Sequence, residues 1–280
     1  MLKNPALFST GSLYLDEVSV CFALAAQAGF DGMEILVDNR WSTRNPVSLK
    51  RLSQQHQLPI QAVHNPFAYN VVDWPSSAQP VNVLEKTVQL AQELNAQVVV
   101  LHLPVVLSRS ALIQQHKSSS ILGGKNPEKS LKHWIEQGGI RQLEASSGIA
   151  ICVENMPKRT FLWWKNLYHW NNIRQWPLVH DTLTLDTTHW GTWGMEPVEV
   201  FRTVRSQVRH IHLSNFDGDE HQLPTNGFLD LASLLKEVSQ TEHPISVTLE
   251  LSPKAILYQD EVQRAEALQT SIDFIRKNLR

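Results

Sequence analysis

Two cysteines in 280 residues, Cys21 and Cys152, are too few and too far apart for a disulfide scaffold, which points to a reducing compartment and two core thiols. Long apolar runs are missing as well. No stretch approaches the roughly 20 residues that span a bilayer, and the opening Met1-Leu2-Lys3-Asn4-Pro5 lacks the charged-then-apolar pattern of a signal peptide. A cytoplasmic protein with no membrane partner is the expectation. Nor is positive charge in surplus: 25 Lys and Arg against 27 Asp and Glu give a formal net charge of −2, with the cations scattered. That leaves no electrostatic footprint for a nucleic-acid partner. What is present, 42% hydrophobic and 19% charged residues, suffices for a full core in one large α/β domain or two small ones.

Short apolar runs alternate with amphipathic segments along the whole chain. Strands are predicted at residues 6–9, 32–36, 60–64, 98–102, 149–154, 208–213 and 246–250, with one more ending at Asp186. Between them lie helices predicted over 15–28, 46–56, 80–94, 230–239 and 260–280, one starting near Pro197, and one running from 127 towards 146 with a break at Gly138-Gly139. Eight strands alternating with helices imply parallel βαβ units closed into a single-domain (β/α)8 TIM barrel over 1–280. The strand pattern supports closure. Ala62, Val100, Ala150, Cys152, Thr184, Ser246 and Thr248 share one face and are mostly small, as a tapered interior requires, whereas Val63, Leu101, Ile151, Val153, Leu185, Val247 and Leu249 face the helices. Residues 104–126, Ser-rich with Gly123-Gly124, exceed the usual βα loop and are expected to form a lid or insertion.

Six strands end in an acid or a histidine: His64, His102, Glu154, Asp186, His212 and Glu250. In a barrel such ends gather on one face, and that face carries the chemistry. Glu154, Asp186, His212 and Glu250 close four consecutive staves, and three carboxylates so placed repel one another unless a cation sits among them. Oxygen ligands with one imidazole suit Mn, Mg or Co at least as well as Zn. His189 is expected on the loop beyond Asp186, and His210 one layer deeper than His212.

Val-Glu-Asn at 153–155, Leu-Asp-Thr-Thr-His at 185–189, His-Ile-His-Leu at 210–213 and Leu-Glu-Leu at 249–251 stand in the order and spacing of a known set of metal motifs. On these motifs the chain resembles the xylose isomerase-like TIM-barrel superfamily, which includes sugar and sugar-phosphate isomerases and epimerases and the endonuclease IV family. The epimerase resemblance implies one metal held by Glu154, Asp186, His212 and Glu250, with Glu154 and Glu250 removing and returning a proton and His189 contacting a substrate hydroxyl. The chain departs from that branch at 214–220, Ser-Asn-Phe-Asp-Gly-Asp-Glu, where the epimerases carry an arginine. The endonuclease IV resemblance implies up to three zinc ions: one on His64, His102 and Glu154, one on His189, Asp219 and His221, and one on the central four. Taken singly, His64, His102 and the Asp219-x-His221 pair fit structural or solvated roles equally well.

Further candidates for the substrate are Glu34, which ends strand two and offers either a contact or a salt bridge, and Lys158 with Arg159, which offer a phosphate site or surface charge. Trp163, Trp164, Trp190 and Trp193 follow strand ends, where their rings can stack on a sugar or pack the loops. The expected function is a divalent-metal-dependent isomerase or epimerase of a small sugar or sugar-phosphate. A multinuclear zinc phosphoesterase is the alternative, and a non-catalytic sugar-binding barrel a third; a homo-oligomer is compatible with each.

Overall fold

In the computed structural model, which describes residues 3–67, 70–103, 127–158, 160–161, 164–165, 176–256 and 260–279, eight parallel strands close into a barrel. They are β1 (Ala6–Ser9), β2 (Gly32–Leu36), β3 (Ile60–His64), β4 (Val98–Leu101), β5 (Ala150–Glu154), β6 (Leu183–Asp186), β7 (Val208–Leu213) and β8 (Ser246–Leu249). Each pairs with its neighbour in chain order, and β8 closes on β1. The helices are α1 (Val18–Ala28), α2 (Pro46–His56), α3 (Pro80–Leu94), α4 (Pro127–Glu136), α5 (Gly139–Ser147), α6 (Trp176–Val179), α7 (Thr187–Thr192), α8 (Pro197–Val204), α9 (Leu231–Ser239) and α10 (Glu261–Asn278). The segment expected to form a lid, 104–126, lies outside the described residues, as do Tyr69, Arg159, Trp163 and Trp170. Trp164 lies in a two-residue antiparallel pairing of Thr160–Phe161 with Trp164–Lys165.

Local chemistry explains most boundaries. Asn45 caps α2 by accepting from Ser48 N at 2.8 Å, with Pro46 following, and α1 stops at Gly29, whose φ of +87° few side chains tolerate. The first helix starts at Val18 rather than at residue 15 because Thr10–Leu13 forms a separate 3-10 turn. His189 is not on a loop. It lies in α7, which begins directly after β6 because the Asp186 carboxylate caps it, accepting from His189 N at 2.7 Å. Glu34 lies at the third position of the five in β2, not at its end.

Strand alternation divides the core as its period requires. Leu7, Ala62, Val98, Val100 and Cys152 form a small cluster inside the barrel, apart from the main core of Val63, Leu101, Ile151, Val153, Leu185, Val247 and Leu249 under the helices. On the face opposite the strand C-termini, Glu144 of α5 ties three elements together. Its Oε1 accepts from Ile151 N at 2.8 Å and Thr182 Oγ1 at 2.9 Å, and its Oε2 lies 2.9 Å from His180 Nε2.

Burial raises the Glu144 carboxyl, but its bonds to His180 and Ile151 outweigh that and hold it below its ordinary value of 4.5. A depressed carboxyl adds stability above the unfolded-state value and loses it as pH falls through the folded-state value. Glu144→Gln is therefore expected to lower stability by about 1–2 kcal/mol at neutral pH. In thermal melts against pH, the gap from wild type should close on acidification; a gap that stays constant at low pH would refute the role of the charge.

Candidate metal centre

Glu154 and Asp186 are the last residues of β5 and β6, His212 is the penultimate residue of β7, and Glu250 is the first residue past β8. Their meeting point is His212 Nδ1, which lies 3.0 Å from Glu154 Oε1, 3.0 Å from Glu250 Oε2 and 3.8 Å from Asp186 Oδ2. One ligand atom from each residue falls within 4.8 Å of the others. The resulting field is lopsided. Burial and then the charge of Glu154 push Asp186 well above the usual carboxylate range. Burial opposes ionisation of Glu154 and Glu250 too, but imidazole neighbours outweigh it, holding Glu154 well below that range and Glu250 at about 2. Burial also opposes charge on His212, yet Glu250, Glu34 and Glu154 hold it well above its usual value.

Hydrogen bonds fix which atoms face inward. His212 Nε2–H donates to Glu34 Oε2 at 3.1 Å, which presents Nδ1 to the three carboxylates. Glu34 Oε2 also accepts from His210 Nε2 at 2.8 Å, and His210 Nδ1 meets Ser246 Oγ at 2.6 Å, all fully enclosed beneath the site except Ser246 at 9% exposure. Glu34 is thus placed below the mouth, as a partner of two histidines. Asn155 bonds both ways to Asp186, accepting from its N at 2.7 Å and donating to its O at 3.0 Å. Asn155 O also accepts from His189 Nδ1 at 2.8 Å, which turns Nε2 of that ring away from the strand. Burial holds His189 at about 3, so it is a neutral imidazole, the form that ligates metals.

Besides the Glu34, His210 and His212 group beneath it, two more groups adjoin the central four. His64, His102 and Glu154 form one, with His64 Nε2 at 3.4 Å from Glu154 Oε2 and His102 Nε2 in close contact with the same oxygen. His64 Nδ1–H donates to Asn65 O at 2.7 Å, so Nε2 is its inward-facing nitrogen. Glu154 therefore turns one oxygen to each group. Asp186, His189 and His221 form the other. His221 is held at φ +59° by bonds from its N to Thr188 Oγ1, 3.1 Å, and to its O from Ser252 N, 2.9 Å, and its ring lies 5.4 Å from that of His189.

Asp219 does not join them. Its carboxylate is exposed and pairs with Lys254 at 2.7 Å, because the loop turns it away from the mouth. Trp190 is also elsewhere. At 1% exposure its ring packs edge-on to Trp176 in the main core, since helix α7 and not the strand period sets its direction. Trp193 donates from Nε1 to Met156 O at 3.0 Å, and Lys158 is exposed, outside the lining of the cavity.

Over the carboxylates lies a cavity of about 420 Å³, within the range of small-molecule sites. Its lining combines His102, Glu154, His189, His221 and Glu250 with the apolar Phe67, Trp74, Leu103, Leu131 and Met156. The residues fit a divalent cation. Asp186 Oδ2 is buried with no hydrogen-bond partner, His64 Nε2, His102 Nε2 and Glu154 Oε2 are buried with no partner beyond one another, and the mixed carboxylate and imidazole donors are those of Mn, Zn, Co or Mg sites.

A closed barrel with a carboxylate and imidazole cluster at the strand C-termini defines a (β/α)8 protein with a candidate metal site at its mouth. Residues 22–278 match the family model described as xylose isomerase-like TIM barrel, and the chain belongs to that family. It is 27% identical over 294 residues to the uncharacterized protein ML2432 of Mycobacterium leprae (strain TN), covering 97% of this chain and 96% of that one. Two solved structures share the fold. One is 3-keto-D-glucoside 4-epimerase YcjR from E. coli, with TM-score 0.66, 14% identity and coverage of 98% and 100%. The other is the IOLI protein with a zinc atom, with TM-score 0.68, 16% identity and coverage of 98% and 99%.

Loss of a carboxylate that orients a ligating histidine costs about 10–100-fold in metal affinity. Glu34→Gln is expected to weaken divalent-metal binding by that factor in a competition titration. Unchanged affinity would show that Glu34 plays no part in presenting His212.

Proposed function

We propose that the protein is a divalent-metal-dependent isomerase or epimerase of a small sugar or sugar-phosphate. One observation carries this reading: Glu154 and Glu250 approach the same His212 nitrogen, each at 3.0 Å, and both line the cavity. A divalent ion held by Glu154, Asp186, His212 and Glu250 supplies Lewis acidity to a carbonyl and its neighbouring hydroxyl. Both glutamates are ionised at neutral pH, so each carries the lone pair needed to accept a proton from carbon. A pair of such groups lets one take the proton and the other return it. His189 and His221, also in the lining, offer nitrogens to substrate hydroxyls. The apolar groups of the lining limit the water that reaches the reacting carbon.

A second reading, a multinuclear metal phosphoesterase, is favoured by the His64, His102 and Glu154 group, whose three buried atoms have no partner beyond one another. Metal content separates the two: about one tightly held ion per chain supports the isomerase, and about three support the phosphoesterase. With candidate ketoses in deuterated water, the isomerase incorporates solvent deuterium at the epimerised carbon. Glu154→Gln and Glu250→Gln should each cut that exchange by about 10²–10⁴-fold. Absence of exchange over a broad ketose panel, with the metal loaded, would overturn the reading.

A further inference from the structure

The cavity's lining divides by element in a way that bears on what fills it. Among the described residues its titratable groups, His102, Glu154, His189, Glu220, His221 and Glu250, stand with the cluster or with the loop after β7. The loop after β3, with α3 and α4, makes an apolar side of Phe67, whose ring lies 5.0 Å from that of His102, and Trp74, Pro75, Val83 and Leu131, continued by Leu103 and Met156. Among the described residues its polar groups are few: Asn65, whose Oδ1 accepts from Thr87 Oγ1 at 2.8 Å, Ser77, whose Oγ donates to Asn70 Oδ1 at 2.9 Å, and the Trp74 indole N–H, which has no hydrogen-bond partner. A hydroxyl pressed against the phenyl, prolyl and aliphatic groups of this side loses its water and gains no partner there, and a phosphate loses far more. Apolar carbon placed there is stabilised in proportion to the area covered.

We infer that the substrate is a hydroxycarbonyl or polyol head joined to an apolar body, such as an alkyl or aryl substituent, and not a sugar-phosphate. The inference rests on the proposed reading that the oxygen-bearing end of the substrate lies at Glu154 and Glu250. In this arrangement the apolar side sets specificity, with Trp74 and Leu131 as its determinants. Trp74 is the larger surface, and Lys86 Nζ sits 5.9 Å from the centre of its ring.

Hydroxamates test this without presuming a sugar stereochemistry, because one head, two adjacent oxygens, can carry different tails. Acetohydroxamate, benzohydroxamate and phosphoglycolohydroxamate are titrated calorimetrically into protein loaded with Mn(II). Benzohydroxamate is expected to bind about tenfold or more tighter than acetohydroxamate, and phosphoglycolohydroxamate no tighter. In Trp74→Ala, and separately in Leu131→Asp, the ratio of benzohydroxamate to acetohydroxamate affinity should fall towards one. The inference is overturned if the phenyl tail brings no gain, including the case in which none of the three binds, or if the phosphate tail binds tightest. If the phenyl preference is equally strong in chelator-stripped protein, the apolar side stands as a determinant and the placement of the head at the cluster fails.

Discussion

Crowding of like charge at one nitrogen is the constraint from which the rest of the site follows. Glu154, Asp186 and Glu250 bring three carboxylates around His212 Nδ1, where burial strips them of most of their water. One imidazole cannot balance them all, and Asp186 shows it, driven towards its neutral form by burial and by Glu154. Fold stability does not call for such an arrangement: a barrel mouth lined with leucine would cost far less. Retaining it makes sense when a cation completes the set.

That crowding holds its shape because short polar pins set each side chain before any ion arrives. Asp186 uses one oxygen to cap α7 and leaves the other facing inward. Thr187 Oγ1 donates to Ser214 O at 2.6 Å and Thr188 Oγ1 to Asn215 O at 3.0 Å, binding the loop after β7 to α7. Gly191 permits the close approach, since a β-carbon there would stand 2.7 Å from Phe216. Through this loop His221 reaches the cavity, although it lies beyond the barrel strands.

Strand ends were legible in the sequence because the two-residue period and the barrel topology act together: Glu154, Asp186, His212 and Glu250 could be assigned to one mouth without coordinates. His64 and His102 were legible for the same reason. Residues whose role depends on contacts far along the chain were not. Asn155 and Asp186 are 31 positions apart and their two-way bond has no periodic signature. Glu34 has the alternation of an inward-facing residue, but only coordinates show it 178 positions from the histidine it meets. Trp190 and Asp219 misled for a related cause: each follows a strand end, yet a helix turns one into the core and a loop turns the other to solvent. The apolar side of the cavity drew no notice because its residues lie in helices and loops whose packing partners a linear pattern does not name.

Glu154 points Oε1 at His212 and Oε2 at His64 and His102. A carboxylate that shares both oxygens with cations is a weaker base than a free one, because the cations draw on its charge. On the proposed reading, a cation on the histidine pair would turn Glu154 from base towards bridge, and the two proposed chemistries would be two loadings of a single scaffold.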